Sequence, residues 1–122
     1  MLTMLLATSS FAATLDVTYV YQNIEEGYDH THQLHIFADG QEVGKSVQGP
    51  ESKKATATVT VPDGAFDLRI VDHALYEGNW EEHTVANNYS IDAVVEMRMK
   101  KAKKHKLKVV FDIDSGTTFK GK

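Results

Sequence analysis

Cysteine is absent from all 122 residues, so neither a disulfide frame nor a thiolate metal site is open to this chain. Proline occurs only twice and tryptophan once, which leaves long stretches free of the residue that most disrupts regular structure. No apolar run is long enough to span a bilayer as a helix. Catalytic signatures are missing as well: there is no G-x-S-x-G turn, no H-E-x-x-H pair and no phosphate-cradling glycine loop. Glu81 and Glu82 are adjacent, and extended chain turns adjacent side chains apart, so they make poor acid–base partners. Asp112, Asp114 and Gly116 resemble the opening of a calcium loop but lack its later acidic ligands. A protein that is not an enzyme is expected.

What the chain does have is alternation with a period of two, the mark of strands with one buried face. Leu15, Val17, Tyr19 and Tyr21 share one parity between Thr14 and Ile24. Leu34, Ile36 and Ala38 do so between Tyr28 and Ala38. Asp39-Gly40 then predicts a two-residue turn with positive φ, folding Gln41 to Val47 back antiparallel. Ala55 to Val61 is a clean pleat with Thr56, Thr58 and Thr60 outward. Pro62-Asp63-Gly64 ends it, and Phe66, Leu68 and Ile70 share a face of the next strand. From Ile91 to Asp114 two further alternating arms, with Met97 and Met99 in the first and Leu107, Val109 and Phe111 in the second, predict an antiparallel hairpin. Between them, His73 to Asn88 reads as a long irregular loop, and residues 117–122 as a polar tail. The length fits one domain, here residues 13–116. Seven short strands predict an all-β, antiparallel two-layer β-sandwich, immunoglobulin-like or prealbumin-like.

The first twelve residues, with an apolar Leu2–Ala7 and small residues at Ser10 and Ala12, are expected to be the remnant of a secretory signal. A signal of this kind normally opens with a lysine or arginine, which this run lacks. The expected location is therefore periplasmic or secreted.

IFADGQEVGKS followed by VTVPDGAFDLRIVD resembles the PEGA-type and related prealbumin-like (transthyretin-like) β-sandwich domains of exported bacterial proteins. A strand enters an Asp-Gly turn, a Val-Gly follows, and a later turn glycine precedes a strand that opens on an aromatic residue. The resemblance covers Ile36 to Asp72 and implies a non-catalytic surface or envelope module, with no catalytic residues to carry over.

Formal charge is −4, unevenly placed. Arg98, Lys100, Lys101, Lys103, Lys104, Lys106 and Lys108 put +7 on the expected hairpin tip, whereas the residues before Arg98 sum to −11. Such a tip could hold anionic lipid, lipopolysaccharide, acidic polysaccharide or extracellular nucleic acid, or it could be a solvated turn. No aromatic residue interrupts KKAKKHK, so base-specific reading of nucleic acid is not expected. His30 and His32, two apart in a strand, point to one side and could ligate copper or zinc, with Asp72, His73 or His83 completing the set. His35 has the opposite parity. Met97 and Met99 could serve Cu(I), though methionines at this period among valines are typical core filler. Tyr76 and Trp80 amid acids and amides form either a carbohydrate-binding loop or, through the indole, a plug over the open end of the sandwich. Edge strands are a further candidate for pairing with a protein partner.

Overall fold

The computed structural model describes residues 13–24, 29–83, 93–112 and 115–121. The expected secretory remnant and the later part of the expected long loop lie outside the described residues. The chain is all-β and folds into two packed sheets of ten strands among the described residues: β1 (Ala13–Gln22), β2 (Thr31–Ala38), β3 (Gln41–Lys45), β4 (Gly49–Pro50), β5 (Ala55–Val61), β6 (Gly64–Tyr76), β7 (Asn79–His83), β8 (Ala93–Met99), β9 (Lys104–Asp112) and β10 (Gly116–Lys120). The first sheet runs β10-β9-β1-β5. In the second, β2 and β6 pair at the centre; β3 and β4 share the outer edge of β2, and β7 and β8 share the outer edge of β6. No helix among the described residues is long and apolar enough to cross a membrane.

The alternation in the sequence becomes the interior. Leu15, Val17 and Tyr19 of β1, Leu34 and Ile36 of β2, Leu68 and Ile70 of β6 and Leu107 and Val109 of β9 are all buried and form one core. The β5 threonines face outward as expected. Asp39 and Gly40 take φ of 48° and 83°, the two-residue turn that Asp-Gly predicts. Met97 and Met99 are core residues, with Met97 paired across from Phe66, so they are placed as packing and not as copper ligands.

Four differences from the sequence expectation matter. The two arms expected to form one hairpin belong to different sheets: β8 pairs antiparallel with β6, while β9 runs parallel to β1. Alternation states which face of a strand is buried, not which strand lies beside it. The connection between the two arms is a tight turn, closed by Lys103 N–H donating to the Lys100 carbonyl at 3.1 Å, in which Ala102 takes a φ of 60°. Second, β6 continues past Ile70 to Tyr76 and turns through Glu77 and Gly78 (φ 49° and 83°) into β7, so the front of the expected loop is a hairpin. Third, Gly116–Lys120, which covers most of the expected polar tail, is an edge strand on β9. Fourth, β4 adds a two-residue strand within the polar QGPESKK segment.

The sheets approach closely where β3 crosses β5: a Cβ on Gly44 would stand 2.5 Å from Val59 Cγ1. Gly44→Ala should cost about 1–3 kcal/mol through overpacking. A thermal melt checks this against Gly49→Ala, whose added Cβ meets nothing within 4 Å. A Gly44→Ala melt equal to that of Gly49→Ala contradicts the packing described.

Candidate metal centre

The inward stripes do not end in apolar residues at one end of the sandwich. The β1 stripe of Leu15, Val17 and Tyr19 runs on to Tyr21. The β2 stripe of Ala38, Ile36 and Leu34 ends in His32. The β6 stripe of Phe66, Leu68 and Ile70 reaches Asp72. Strict alternation forces all three polar side chains into the space between the sheets. His32 and Asp72 are 2% and 0% exposed, and their register fixes them as close neighbours, with His32 opposite Ala74 and Leu34 opposite Asp72.

A fourth group arrives from outside the stripes. Glu51 directly follows β4, and its side chain is 5% exposed. Its backbone is clasped to the segment before β2: Glu51 N–H donates to the His30 carbonyl at 2.9 Å, and Ser52 donates to Asp29 through N–H at 2.8 Å and through its hydroxyl at 2.6 Å. The returning bond, His30 N–H to Glu51 Oε1 at 3.2 Å, turns the carboxylate inward.

The groups converge. His32 Nδ1 lies 2.8 Å from Asp72 Oδ1, and the Tyr21 hydroxyl donates to Asp72 Oδ2. Tyr21 stacks edge-on against His32 with ring centroids 5.7 Å apart, and against Phe111 at 5.2 Å. One ligating atom each from His32, Glu51 and Asp72 lie within 4.8 Å of one another. Burial, together with the charge of Asp72, pushes the Glu51 carboxyl up to about 7. The same two causes hold the Tyr21 hydroxyl far above its ordinary range, so it stays a donor. His83, directly opposite Asp72 on β7, is lowered chiefly by burial and lies outside the three-residue group.

The structure rearranges the sequence candidates. Of the expected pair, His32 joins the cluster and His30 does not: His30 precedes β2 and packs edge-on against Tyr76 at 5.8 Å. His73 faces the outer side of its sheet beside His35, with ring centroids 3.8 Å apart. Asp72 is in the cluster. Glu51 and Tyr21 are not among the sequence candidates; Tyr21 carries the signal of its stripe, whereas nothing around Glu51 in a polar loop marks it as inward.

The other two candidate sites are divided. Arg98 is exposed on the outer side of the second sheet, Lys100, Lys101 and Lys103 sit on or beside the connection between sheets, and Lys104, Lys106 and Lys108 lie outward on β9, so they do not form one hairpin tip. Trp80 is 41% exposed, not a plug. The β6–β7 ladder sets Trp80 beside Leu75 and Tyr76 beside Asn79, which puts the two rings on opposite faces and removes a shared sugar platform. Compared with known proteins, the chain matches no family model, no curated protein and no solved structure.

The Glu51 shift has a direction that can be checked. In the folded state the carboxyl keeps its proton up to about pH 7, against an ordinary value of 4.5. The stabilisation it contributes is therefore fully present below the ordinary value and is lost as pH rises through the folded one. Glu51→Gln keeps a neutral group throughout. In metal-free buffer, the stability of the wild type relative to Glu51→Gln should fall between about pH 5 and pH 8. His73 and His83, both lowered mainly by burial, act in the opposite direction and drop out of this difference. A flat difference across that range in denaturant titrations contradicts the burial of Glu51.

Proposed function

We propose that the protein is a non-catalytic β-sandwich that binds a divalent transition metal, zinc or copper, through His32, Glu51 and Asp72. The observation that carries this is the convergence of three buried ligating side chains, from β2, β6 and the segment after β4, within 4.8 Å. Imidazole nitrogen with carboxylate oxygen is a donor set suited to these ions, and the absent cysteines leave it the harder, nitrogen-and-oxygen kind. Tetrahedral bonds of about 2.0–2.1 Å space ligand atoms about 3.3 Å apart, so small side-chain rotations bring the cluster to ligating distance.

Charge supports the reading. Two acids crowd one buried space beside an imidazole, and a dication held there would offset their charge. Without it, one carboxylate is best relieved by a proton, and Glu51 is the group raised to about 7. Binding is then expected to release that proton and to tighten with rising pH. Side chains no more than 5% exposed favour carriage or structural binding of an ion over catalysis on a larger substrate. The apolar start of the chain and the resemblance to PEGA-type and prealbumin-like domains favour an exported protein.

Calorimetry with Zn²⁺ and Cu²⁺ on protein stripped with chelator tests the proposal. One ion per chain is expected, with affinity reduced at least about tenfold by Glu51→Gln and by His32→Gln, and unchanged by His30→Ala. A flat titration of folded wild-type protein, or equal binding by Glu51→Gln, leaves the cluster as a hydrogen-bonded polar network and overturns the metal reading.

A further inference from the structure

A second feature lies on the opposite side of the first sheet from the core. A shallow cleft of about 520 Å³ is lined by Thr18, Val20, Lys54, Lys106, Leu107, Lys108, Lys120 and Gly121. Its four lysines come from three places in the chain, and the ladder gathers them. Lys106 and Lys108 are consecutive outward residues of β9, about 6.8 Å apart along the strand. Lys120 of β10 is the direct cross-strand neighbour of Lys108, about 5 Å away. Lys54, directly before β5, closes the far side beyond Thr18. Lys54 and Lys120 lie outside the basic run in the sequence, and only the sheet order brings them to it.

We propose that this cleft binds a ligand carrying two or more phosphate groups. Like charges placed directly across a ladder repel, so the Lys108–Lys120 pair is unfavourable until an anion sits between them. Among the described residues, no carboxylate lines the cleft. Asp16, opposite Lys106, accepts from the Thr58 hydroxyl at 2.5 Å and pairs with Lys104 at 3.3 Å; the nearby charge of Lys106 also helps hold its carboxyl below the ordinary range, so one carboxylate offsets part of the charge beside the cleft. Lysine ammoniums act as mobile point charges that follow phosphate oxygens, and the Thr18 hydroxyl adds a neutral donor. No aromatic ring lines the cleft among the described residues, so stacked bases find no platform there and the phosphates themselves are the recognised groups. The negative balance elsewhere steers such a ligand toward this face.

Tripolyphosphate is the probe, titrated calorimetrically at low and at high salt, alongside co-sedimentation with phosphatidic acid vesicles. Binding should weaken steeply as salt rises. The triple variant Lys106→Gln, Lys108→Gln, Lys120→Gln alters only exposed side chains and should bind at least about tenfold more weakly with an unchanged melting curve. Lys100→Gln with Lys101→Gln, on the connection outside the cleft, should bind as the wild type does. Tripolyphosphate binding without vesicle binding identifies a free phosphorylated ligand, and vesicle binding lost in the same triple variant identifies a lipid headgroup. Absence of binding to both probes at low salt overturns the proposal, as does an equal loss in the Lys100/Lys101 variant.

Discussion

The structure turns on the placement of one carboxylate. Asp72 has no exposure to solvent, and a group of its charge is tolerated there only when its oxygens are engaged. One oxygen accepts from Tyr21 of the first sheet, and the other meets the His32 imidazole of the second. Asp72 thus ties the two layers together at an end where the apolar stripes give out. Glu51 then adds a second acid to the same enclosed space, and the two cannot both be ionised there without strong repulsion. A proton relieves that conflict in the empty protein, and a cation relieves it in the proposed loaded one.

This polar end is compatible with a stable sandwich because it is separated from the packing that holds the layers. The central pair β2–β6 carries Ile36, Leu68 and Ile70 in the core and His32 and Asp72 beyond it on the same faces. The strands that anchor the cluster are therefore the best-supported ones in the second sheet, each paired on both edges. The lysine cleft depends on a different set of neighbours, β10, β9 and β1, and faces outward. The two proposed sites share β1 but not a surface, so each can be altered without touching the other.

Much of this is legible in the sequence, and the limits have physical causes. Period-two alternation marks the strands and their inner faces, and by parity alone it turns Tyr21, His32 and Asp72 inward. Asp39-Gly40 reads as a turn because both residues accept positive φ readily. Glu77-Gly78 makes a turn of the same kind with a weaker signal, since glutamate is an uncommon occupant of that backbone region. Strand neighbours are not legible: a buried face on β8 and one on β9 are satisfied equally in one sheet or in two. Glu51 is hidden because its burial comes from backbone clasps to Asp29 and His30, about twenty residues away, and not from any local pattern. The basic run is visible, but its partition between two sheets, and the recruitment of Lys54 and Lys120, require the topology.

The central claim, that the buried cluster is built to hold a metal through one imidazole and two carboxylates, is met most directly by X-ray absorption at the zinc edge on the loaded protein. Nitrogen and oxygen neighbours with the outer scattering of a single imidazole are expected, and that imidazole signature is lost in His32→Gln. A spectrum showing two or more imidazoles, or one unchanged by His32→Gln, contradicts it.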